Sequence, residues 1–276
     1  MSISVPKRIL ILDNDDCTGQ YGILCILSKI YRYFYPSNTL DELAQFMVDH
    51  YLSPSTEDGS GGFRPYLKEL LLVAKQLLSA NKIDKLIIYT SATNRDNWVA
   101  TLARCIEIYG EFEKGTIGFI SRNEHFIPAN DGAGIKDIEY CIKHFYGDDN
   151  LDISKCFMVD DKLYNIKQYQ DVEFSNTNLY GVKPYKPFIN PFRFLRQCPF
   201  WDIDVEKDIY NNSEPELRQK GIFVIMPKYI KDKTSLAISA LTHDAREYPW
   251  PATPELCLDD NDLYGVITKI KIFYKL

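Results

Sequence analysis

The chain has 276 residues, of which 45% are hydrophobic and 25% are charged, proportions typical of a globular protein that buries a sizeable core. Its formal net charge of −6 argues against a general nucleic-acid-binding surface and leaves only a local basic patch open. The seven cysteines form no CxxC pair and the four histidines form no HExxH motif, which argues against a disulfide framework and a zinc hydrolase.

Neither a membrane span nor a secretory signal is evident in the sequence. No apolar run approaches the length that crosses a bilayer, and the first residues lack the hydrophobic region of a signal peptide. We therefore expect an intracellular protein, cytoplasmic or nuclear, that has no membrane partner.

The first predicted element is a buried strand over residues 9–12, and acidic residues follow it directly at Asp13, Asp15 and Asp16. Asp13 and Asp15 are two positions apart, so an extended backbone would point their side chains the same way. Clustered carboxylates repel one another, and burial strengthens the repulsion. A bound cation would relieve it, and oxygen ligands of this kind suit Mg²⁺ together with a phosphate.

The segment that follows is predicted to be mainly helical. Hydrophobic spacing predicts a helix over residues 20–35, and a capping box that starts at Thr39 begins a second helix that runs to about residue 51. Residues 53–62 are rich in Ser, Pro and Gly and form either a lid or a plain connector. Pro65 is expected at the first position of the next helix.

Farther along, short apolar runs alternate with helical patterns. Strands are predicted at residues 86–89, 116–120 and 156–159, with helices at about 97–109 and 135–145. Alternation of this type predicts a Rossmann-like α/β fold, in which a central parallel sheet is flanked by helices. The polar groups that follow neighbouring strands would then meet at one edge of the sheet.

Two of these strand ends supply further candidate site residues. Thr90 and Ser91 follow one strand, and Asp160 and Asp161 follow another. Thr90 and Ser91 could instead cap the following helix. Asp160 and Asp161 also follow an apolar run directly, so burial would remove water from their charges at a cost in free energy, as in the first acidic cluster.

The C-terminal third has a different texture, with prolines among aromatic residues after about residue 180. We interpret residues 188–276 as an appended α+β region, either a separate domain or an extension of the sheet. Within it the sequence predicts a strand at 221–226, a helix at 236–246 and a half-buried strand at 270–276.

The motifs, taken in order, resemble those of the haloacid dehalogenase superfamily of phosphotransferases. The stretch from Asp13 to Cys17 is similar to its first motif, an apolar strand followed by DxDx[Thr/Val], although Asn14 and Cys17 depart from the usual residues. Thr90 ends an apolar strand as in the second motif. The pair that begins at Asp160 resembles the fourth.

A closer resemblance is to the branch that includes phosphatases of the RNA polymerase II C-terminal domain. Arg64-Pro65 precedes the helix that leads to the second motif, as in that branch, and Ile88-Tyr-Thr-Ser-Ala is similar to its second motif. Lys136 matches its lysine motif, which the branch places on the helix before the last catalytic strand. The helical insert at about residues 20–63 differs from the β-rich insert of these phosphatases, so the entrance to the site has changed.

The resemblance implies a phosphatase core over residues 1–187 that includes the cap-like insert. Asp13 would be the nucleophile that forms an aspartyl-phosphate, and Asp15 would be the general acid and then the general base. Lys136 would balance the charge of the phosphate, a role for which Lys155 is the rival. The implied metal ligands, for Mg²⁺, are Asp13, Asp15, Asp160 and Asp161, and the implied phosphate-binding residues are Thr90, Ser91 and Lys136.

By resemblance, the leading substrate is a phosphoprotein that carries phosphoserine or phosphothreonine. Two alternatives stay open at this point. One is a phosphatase of nucleic-acid ends or of a small phosphorylated metabolite, and the other is a catalytically silent binding protein of the same fold. An open groove lined by basic residues would favour a polymer, whereas a closed cap would favour a metabolite.

Overall fold

The computed structural model describes residues 7–21, 35–54, 61–94, 97–128, 134–147, 152–185 and 260–276, together with residues 24, 28, 31, 32 and 197. The predicted strand at 221–226 and helix at 236–246 lie outside these residues, as does most of the helix predicted at 20–35. The chain divides into two compact units. The first comprises Met1–Gly19, Arg64–Tyr185 and Asp260–Leu276, and the second comprises Gln20–Phe63 and Lys186–Asp259.

A parallel sheet of five strands forms the centre of the first unit. Its strand order is β3-β2-β1-β6-β7, and a separate antiparallel pair joins β4 to β5. The predicted parallel sheet is therefore confirmed. The strands are β1 (Ile9–Leu12), β2 (Lys85–Tyr89), β3 (Ile117–Ile120), β4 (Ile127–Pro128), β5 (Gly134–Ile135), β6 (Cys156–Asp160) and β7 (Leu179–Gly181).

Helices flank this sheet. In the described part of the first unit these are α2 (Leu67–Ser79), α3 (Trp98–Tyr109), α4 (Ile138–Tyr146), α5 (Val172–Asn178) and α6 (Asp262–Tyr274). The second unit contains α1 (Leu40–Met47). Three short 3-10 segments, Ile153–Lys155, Leu163–Asn165 and Lys167–Gln170, precede or follow β6. None of the helices described is long and apolar enough to cross a membrane.

Both faces of the sheet are buried. Alternate residues of a strand point to opposite faces, so Ile9 and Ile11 of β1 pack on one side, with α4 and α5, while Leu10 and Leu12 face the other. This double coverage explains why the strands read as continuous apolar runs. The core on the first face consists of Ile9, Ile11, Ile87, Tyr89, Ile120, Ile138, Cys141, Ile142, Cys156, Met158, Ile166, Phe174 and Leu179.

Two predicted helix starts are wrong by a few residues. Pro65 lies in a turn, because Tyr66 adopts a left-handed conformation (φ +63°) and α2 begins only at Leu67. Helix α4 begins at Ile138, where the Asp137 carboxylate caps it by accepting a hydrogen bond from the backbone N–H of Glu139. The residue before this cap is therefore extended rather than helical.

The strand predicted at 270–276 is also wrong, because this segment belongs to helix α6. The apolar residues alternate over that short stretch, but the longer pattern has a helical period: Leu263, Val266, Ile267, Ile270 and Tyr274 are buried. Ile272 and Leu276, which a strand would have turned inward with Ile270, are 70% and 47% exposed.

Helix α6 packs against α2 and β6 within the first unit. The Tyr274 hydroxyl donates a hydrogen bond to the backbone carbonyl of Ile9 at 2.7 Å. The Phe273 ring lies 5.2 Å from the ring of Phe157 on β6. Helix α6 thus contacts both β1 and β6.

In the second unit, the described residues centre on α1. The capping box predicted at Thr39 is confirmed, since its hydroxyl accepts from the Glu42 N–H and the Glu42 carboxylate accepts from the Thr39 N–H. A π-helical turn, Val48–Leu52, continues α1. The chain before and after this element pairs where the Gln20 N–H donates to the Gly62 carbonyl at 2.8 Å.

A matched pair of substitutions tests the helical assignment of α6. Ile270→Ala should lower the free energy of unfolding by about 2–5 kcal/mol, because it removes a fully buried side chain. Ile272→Ala should change it by less than about 0.5 kcal/mol, because that side chain is exposed. Urea unfolding measures both values, and equal losses would support the strand instead.

Candidate active site

Three neighbouring strands place polar residues at one edge of the sheet. In the parallel register, Leu12 of β1 lies opposite Ile88 of β2 and Val159 of β6, so the residues that follow these positions meet. The backbone N–H of Asp13 donates to the Val159 carbonyl at 2.9 Å and so extends the ladder by one residue. This edge is the carboxyl end of the strands, where open α/β sheets bind their ligands.

Three carboxylates meet at this edge: those of Asp13, Asp160 and Asp161. One oxygen from each lies within 4.8 Å of the others, the only such group of three acidic, histidine or cysteine side chains in the described part of the chain. Asp13 and Asp160 are 5% and 1% exposed, whereas Asp161 is half-buried. Asp13 lies 147 positions before Asp160 in the sequence, and the pairing of β1 with β6 brings the two together.

The ammonium group of Lys136 contacts two of the three carboxylates. Its Nζ atom lies 2.5 Å from Asp13 Oδ1 and 2.6 Å from Asp160 Oδ2, and its side chain is 6% exposed. The other Asp160 oxygen accepts a hydrogen bond from the backbone N–H of Lys162 at 2.7 Å. Asp13 and Asp160 therefore each have a partner of opposite charge in Lys136.

Burial governs the protonation of the cluster. It raises the pKa of Asp13 well above its usual value, with Lys136 opposing the shift and Asp160 and Asp161 adding to it. Burial and the neighbouring Asp160 likewise raise the pKa of Asp161. Burial alone would lower the pKa of Lys136, but Asp13 and Asp160 outweigh it and raise that pKa, so the ammonium stays charged. Burial also raises the pKa of Cys17, and its thiol stays protonated.

The backbone of Lys136 is clamped in an extended conformation. Its N–H donates to the Asn165 carbonyl at 2.8 Å, and its carbonyl accepts from the Lys167 N–H at 2.9 Å. The prediction that Lys136 lies on a helix is wrong, because these bonds hold it one residue before the cap of α4. Lys155 is exposed at the opposite, amino end of β6, so it does not reach the cluster.

The chain turns sharply after Asp13. The backbone N–H and hydroxyl of Thr18 both donate to the Asn14 carbonyl at 3.0 Å, and Asp16 adopts a left-handed conformation with φ +60°. Asp15 forms a bridge with Gly19 and is half-buried. Its carboxylate is not among the three that meet, and the alignment of Asp15 with Asp13 stays a prediction.

Thr90 and Ser91 follow β2 at the same edge. The Thr90 side chain is buried, and its hydroxyl oxygen accepts a hydrogen bond from the Ala92 N–H at 3.0 Å. The hydroxyl hydrogen has no acceptor among the described residues and can donate to a ligand. Neither residue caps α3, since the Asn94 side chain accepts from the Val99 and Ala100 N–H groups.

Sequence patterns missed the environment of Arg64. Its guanidinium is buried behind the turn and contacts Asp260 and Asp262, which begin helix α6. The run Asp259-Asp260-Asn261-Asp262 was a local signal for a helix start. No pattern could link that run to an arginine almost 200 positions earlier, because their contact depends on the tertiary fold.

The donor set fits a divalent cation. Three carboxylates and one ammonium leave two formal negative charges in a mostly buried space, and carboxylate oxygens suit Mg²⁺. Burial first, and the neighbouring carboxylates second, raise the pKa values of Asp13 and Asp161, and a bound cation would oppose both effects.

Comparison with known proteins gives no match: no family model fits the sequence, and no curated protein is significantly similar to it.

Replacing the two candidate lysines tests which one holds the cluster together. Lys136→Ala should lower the free energy of unfolding by about 3–5 kcal/mol in the presence of a chelator, because it leaves buried carboxylates without their cation. The loss should grow as the pH rises. Removing the ammonium raises the folded-state pKa of Asp13 further, and a carboxyl with a raised pKa destabilises the fold above its unfolded pKa of about 3.9.

Lys155→Ala is the matched control, since Lys155 is exposed and lies at the far end of β6. Thermal and urea unfolding at two pH values measure both variants. A loss for Lys155→Ala as large as that for Lys136→Ala would contradict the assignment.

Proposed function

We propose that the chain is a Mg²⁺-dependent phosphatase that hydrolyses a phosphate monoester through an aspartyl-phosphate at Asp13. The observation that carries this proposal is the buried meeting of Asp13, Asp160 and Asp161 with the ammonium of Lys136. It lies at the sheet edge where ligands bind in open α/β folds. The resemblance of the motifs to the haloacid dehalogenase superfamily supports the same chemistry.

The reaction takes place in two steps. A carboxylate oxygen of Asp13 attacks phosphorus, the bond to the leaving oxygen breaks, and Asp15 gives that oxygen a proton. Water then attacks the phosphorus of the aspartyl-phosphate, Asp15 takes a proton from this water, and inorganic phosphate leaves with the Asp13 carboxylate restored. The resemblance assigns this exchange to Asp15, whose carboxylate is not one of the three that meet.

The remaining residues stabilise charge. Lys136 already contacts the nucleophile and would reach a phosphoryl oxygen from the same position. Thr90 would donate its hydroxyl hydrogen to a second oxygen, with Ser91 beside it. A Mg²⁺ ion held by Asp13, Asp160, Asp161 and the Asp15 backbone carbonyl would reduce the repulsion between the carboxylate and the phosphate.

The proposed substrate is an intracellular phosphoprotein that carries phosphoserine or phosphothreonine. This choice comes from the resemblance to the polymerase-tail branch. A panel of phosphopeptides, nucleotides and end-phosphorylated oligonucleotides would test it directly. A strong preference for nucleotides or oligonucleotides would overturn this choice while leaving the chemistry at Asp13 intact.

Removing the proposed nucleophile is the decisive test of the chemistry. Asp13→Asn should reduce turnover of an aryl phosphate by about a thousandfold or more, because an amide cannot form the acyl-phosphate. Its thermal unfolding should match or exceed that of the wild type in chelator, since one buried charge is gone. Glu113→Gln, at an exposed position, is the control. Wild-type turnover in Asp13→Asn would rule out this function.

Mg²⁺ binding should become tighter as the pH rises. The pKa values of Asp13 and Asp161 are raised without the ion, so at low pH the ion must displace protons from these carboxyls. At higher pH fewer protons are bound, and less free energy is lost in displacing them. Titration calorimetry between about pH 5.5 and pH 7.5 measures this dependence.

Asp161→Asn should weaken Mg²⁺ binding about tenfold or more, while Glu113→Gln leaves it unchanged. Activity should vanish in excess chelator and return with Mg²⁺.

A further inference from the structure

Arg64 is among the most deeply buried charged residues of the first unit, with 2% of its surface exposed. One terminal nitrogen, Nη1, donates to the backbone carbonyls of Asp16 at 3.4 Å and Cys17 at 3.2 Å. The other side of the guanidinium meets Asp260 and Asp262, with Nη2 3.0 Å from an oxygen of each. A rigid fork of donors is needed to reach both sides at once.

These contacts hold the turn that follows Asp13. Besides the guanidinium, the Arg64 N–H donates to the Thr18 carbonyl at 3.0 Å, and the Tyr185 N–H donates to the Asp16 carbonyl at 2.8 Å. Three successive carbonyls of the turn are therefore bound from outside it. Asp16 has a positive φ that few non-glycine residues adopt, and a conformation of this kind persists when its surroundings fix it.

The acidic partners of Arg64 are themselves fixed. Asp260 accepts from the Asp262 N–H at 3.1 Å, and Asp262 accepts from the Lys183 N–H at 2.7 Å. Both carboxylates lie at the start of α6, where the helix dipole favours negative charge. The Tyr185 ring lies 5.6 Å from the guanidinium carbon and covers its face.

The residues at which the chain leaves or re-enters the first unit all belong to this network or adjoin it. These residues are Gly19, Arg64, Tyr185 and Asp260. Gly19 follows Thr18 and accepts the Asp16 N–H at 2.9 Å, and the other three residues contribute directly. One guanidinium thus joins all three segments of this unit at the turn that follows the proposed nucleophile.

We propose that Arg64, together with Asp260 and Asp262, positions the turn that follows Asp13 and begins at Asp15, so that helix α6 is a working part of the catalytic unit. The kinetic part of this inference rests on the proposed phosphatase function, whereas the structural part does not. Displacement of a catalytic group by about 1 Å can cost about a hundredfold in rate.

The test compares Arg64→Lys with Arg104→Lys in the full chain. Arg104 is the matched control because it also pairs with a buried carboxylate, that of Glu107, but lies on α3 away from the turn. Arg64→Lys should lower kcat for an aryl phosphate by about a hundredfold. KM should change by less than about threefold, because Thr90 and Lys136 still bind the phosphate. Arg104→Lys should alter neither value, even if its melting temperature falls as far.

Amide hydrogen exchange supplies a readout that needs no activity. In Arg64→Lys, exchange should become at least about tenfold faster at residues 14–19 and at the start of α6, while the strands β2 and β3 keep their protection. If the wild type has no phosphatase activity, the proposed function fails and this exchange pattern alone decides whether Arg64 positions the turn. Unchanged exchange at the turn, or an unchanged kcat in an active protein, overturns the inference.

Asp262→Asn keeps the measurement informative if Arg64→Lys does not fold. This variant removes one charge from a partly exposed partner and leaves the guanidinium in place. It should show a smaller shift in the same direction, of about threefold to tenfold in kcat and in the exchange rates of the turn. A folded Asp262→Asn protein with wild-type values for both would equally overturn the proposal.

Discussion

The contact of the Lys136 ammonium with the carboxylates of Asp13 and Asp160 is the interaction on which the rest of the site depends. Two acids at the ends of adjacent buried strands would repel each other strongly in a space that excludes water. The ammonium of Lys136 lies between them and offsets this repulsion. Asp161 adds a further negative charge, which a bound cation would balance. The same arrangement therefore fixes the geometry on which the proposed phosphatase function depends.

Secondary structure elsewhere serves to hold that ammonium in place. Lys136 follows the two-residue strand β5 and is bridged to the segment after β6, so its side chain starts from a backbone fixed on both sides. The Asp137 N–H donates to the Tyr89 hydroxyl at 3.1 Å, which ties this stretch to β2 as well. The fixed backbone of Lys136 therefore determines where its ammonium group lies.

Local patterns predicted much of this architecture. Apolar runs of four residues, each followed by polar groups, marked β1, β2 and β6. Through the parallel pairing, they also marked the edge at which Asp13 and Asp160 meet. The errors occurred where a short window supports two periods, as at residues 270–276, or where a turn or cap delays the start of a helix, as at Tyr66 and Asp137. The partners of Arg64 were beyond prediction, because they lie far away in sequence and no local pattern records such contacts.

The hydrogen bond between the Tyr274 hydroxyl and the Ile9 carbonyl joins segments 265 positions apart. Synthesis on the ribosome delivers β1 before α6, so β1 lacks this contact until the long intervening stretch has been made. Contacts of such long range slow folding, and exposed apolar strands attract other chains in the meantime. Part of β1 therefore stays unpaired until residues 262–274 have emerged from the exit tunnel, and this interval is when the nascent chain is most open to association.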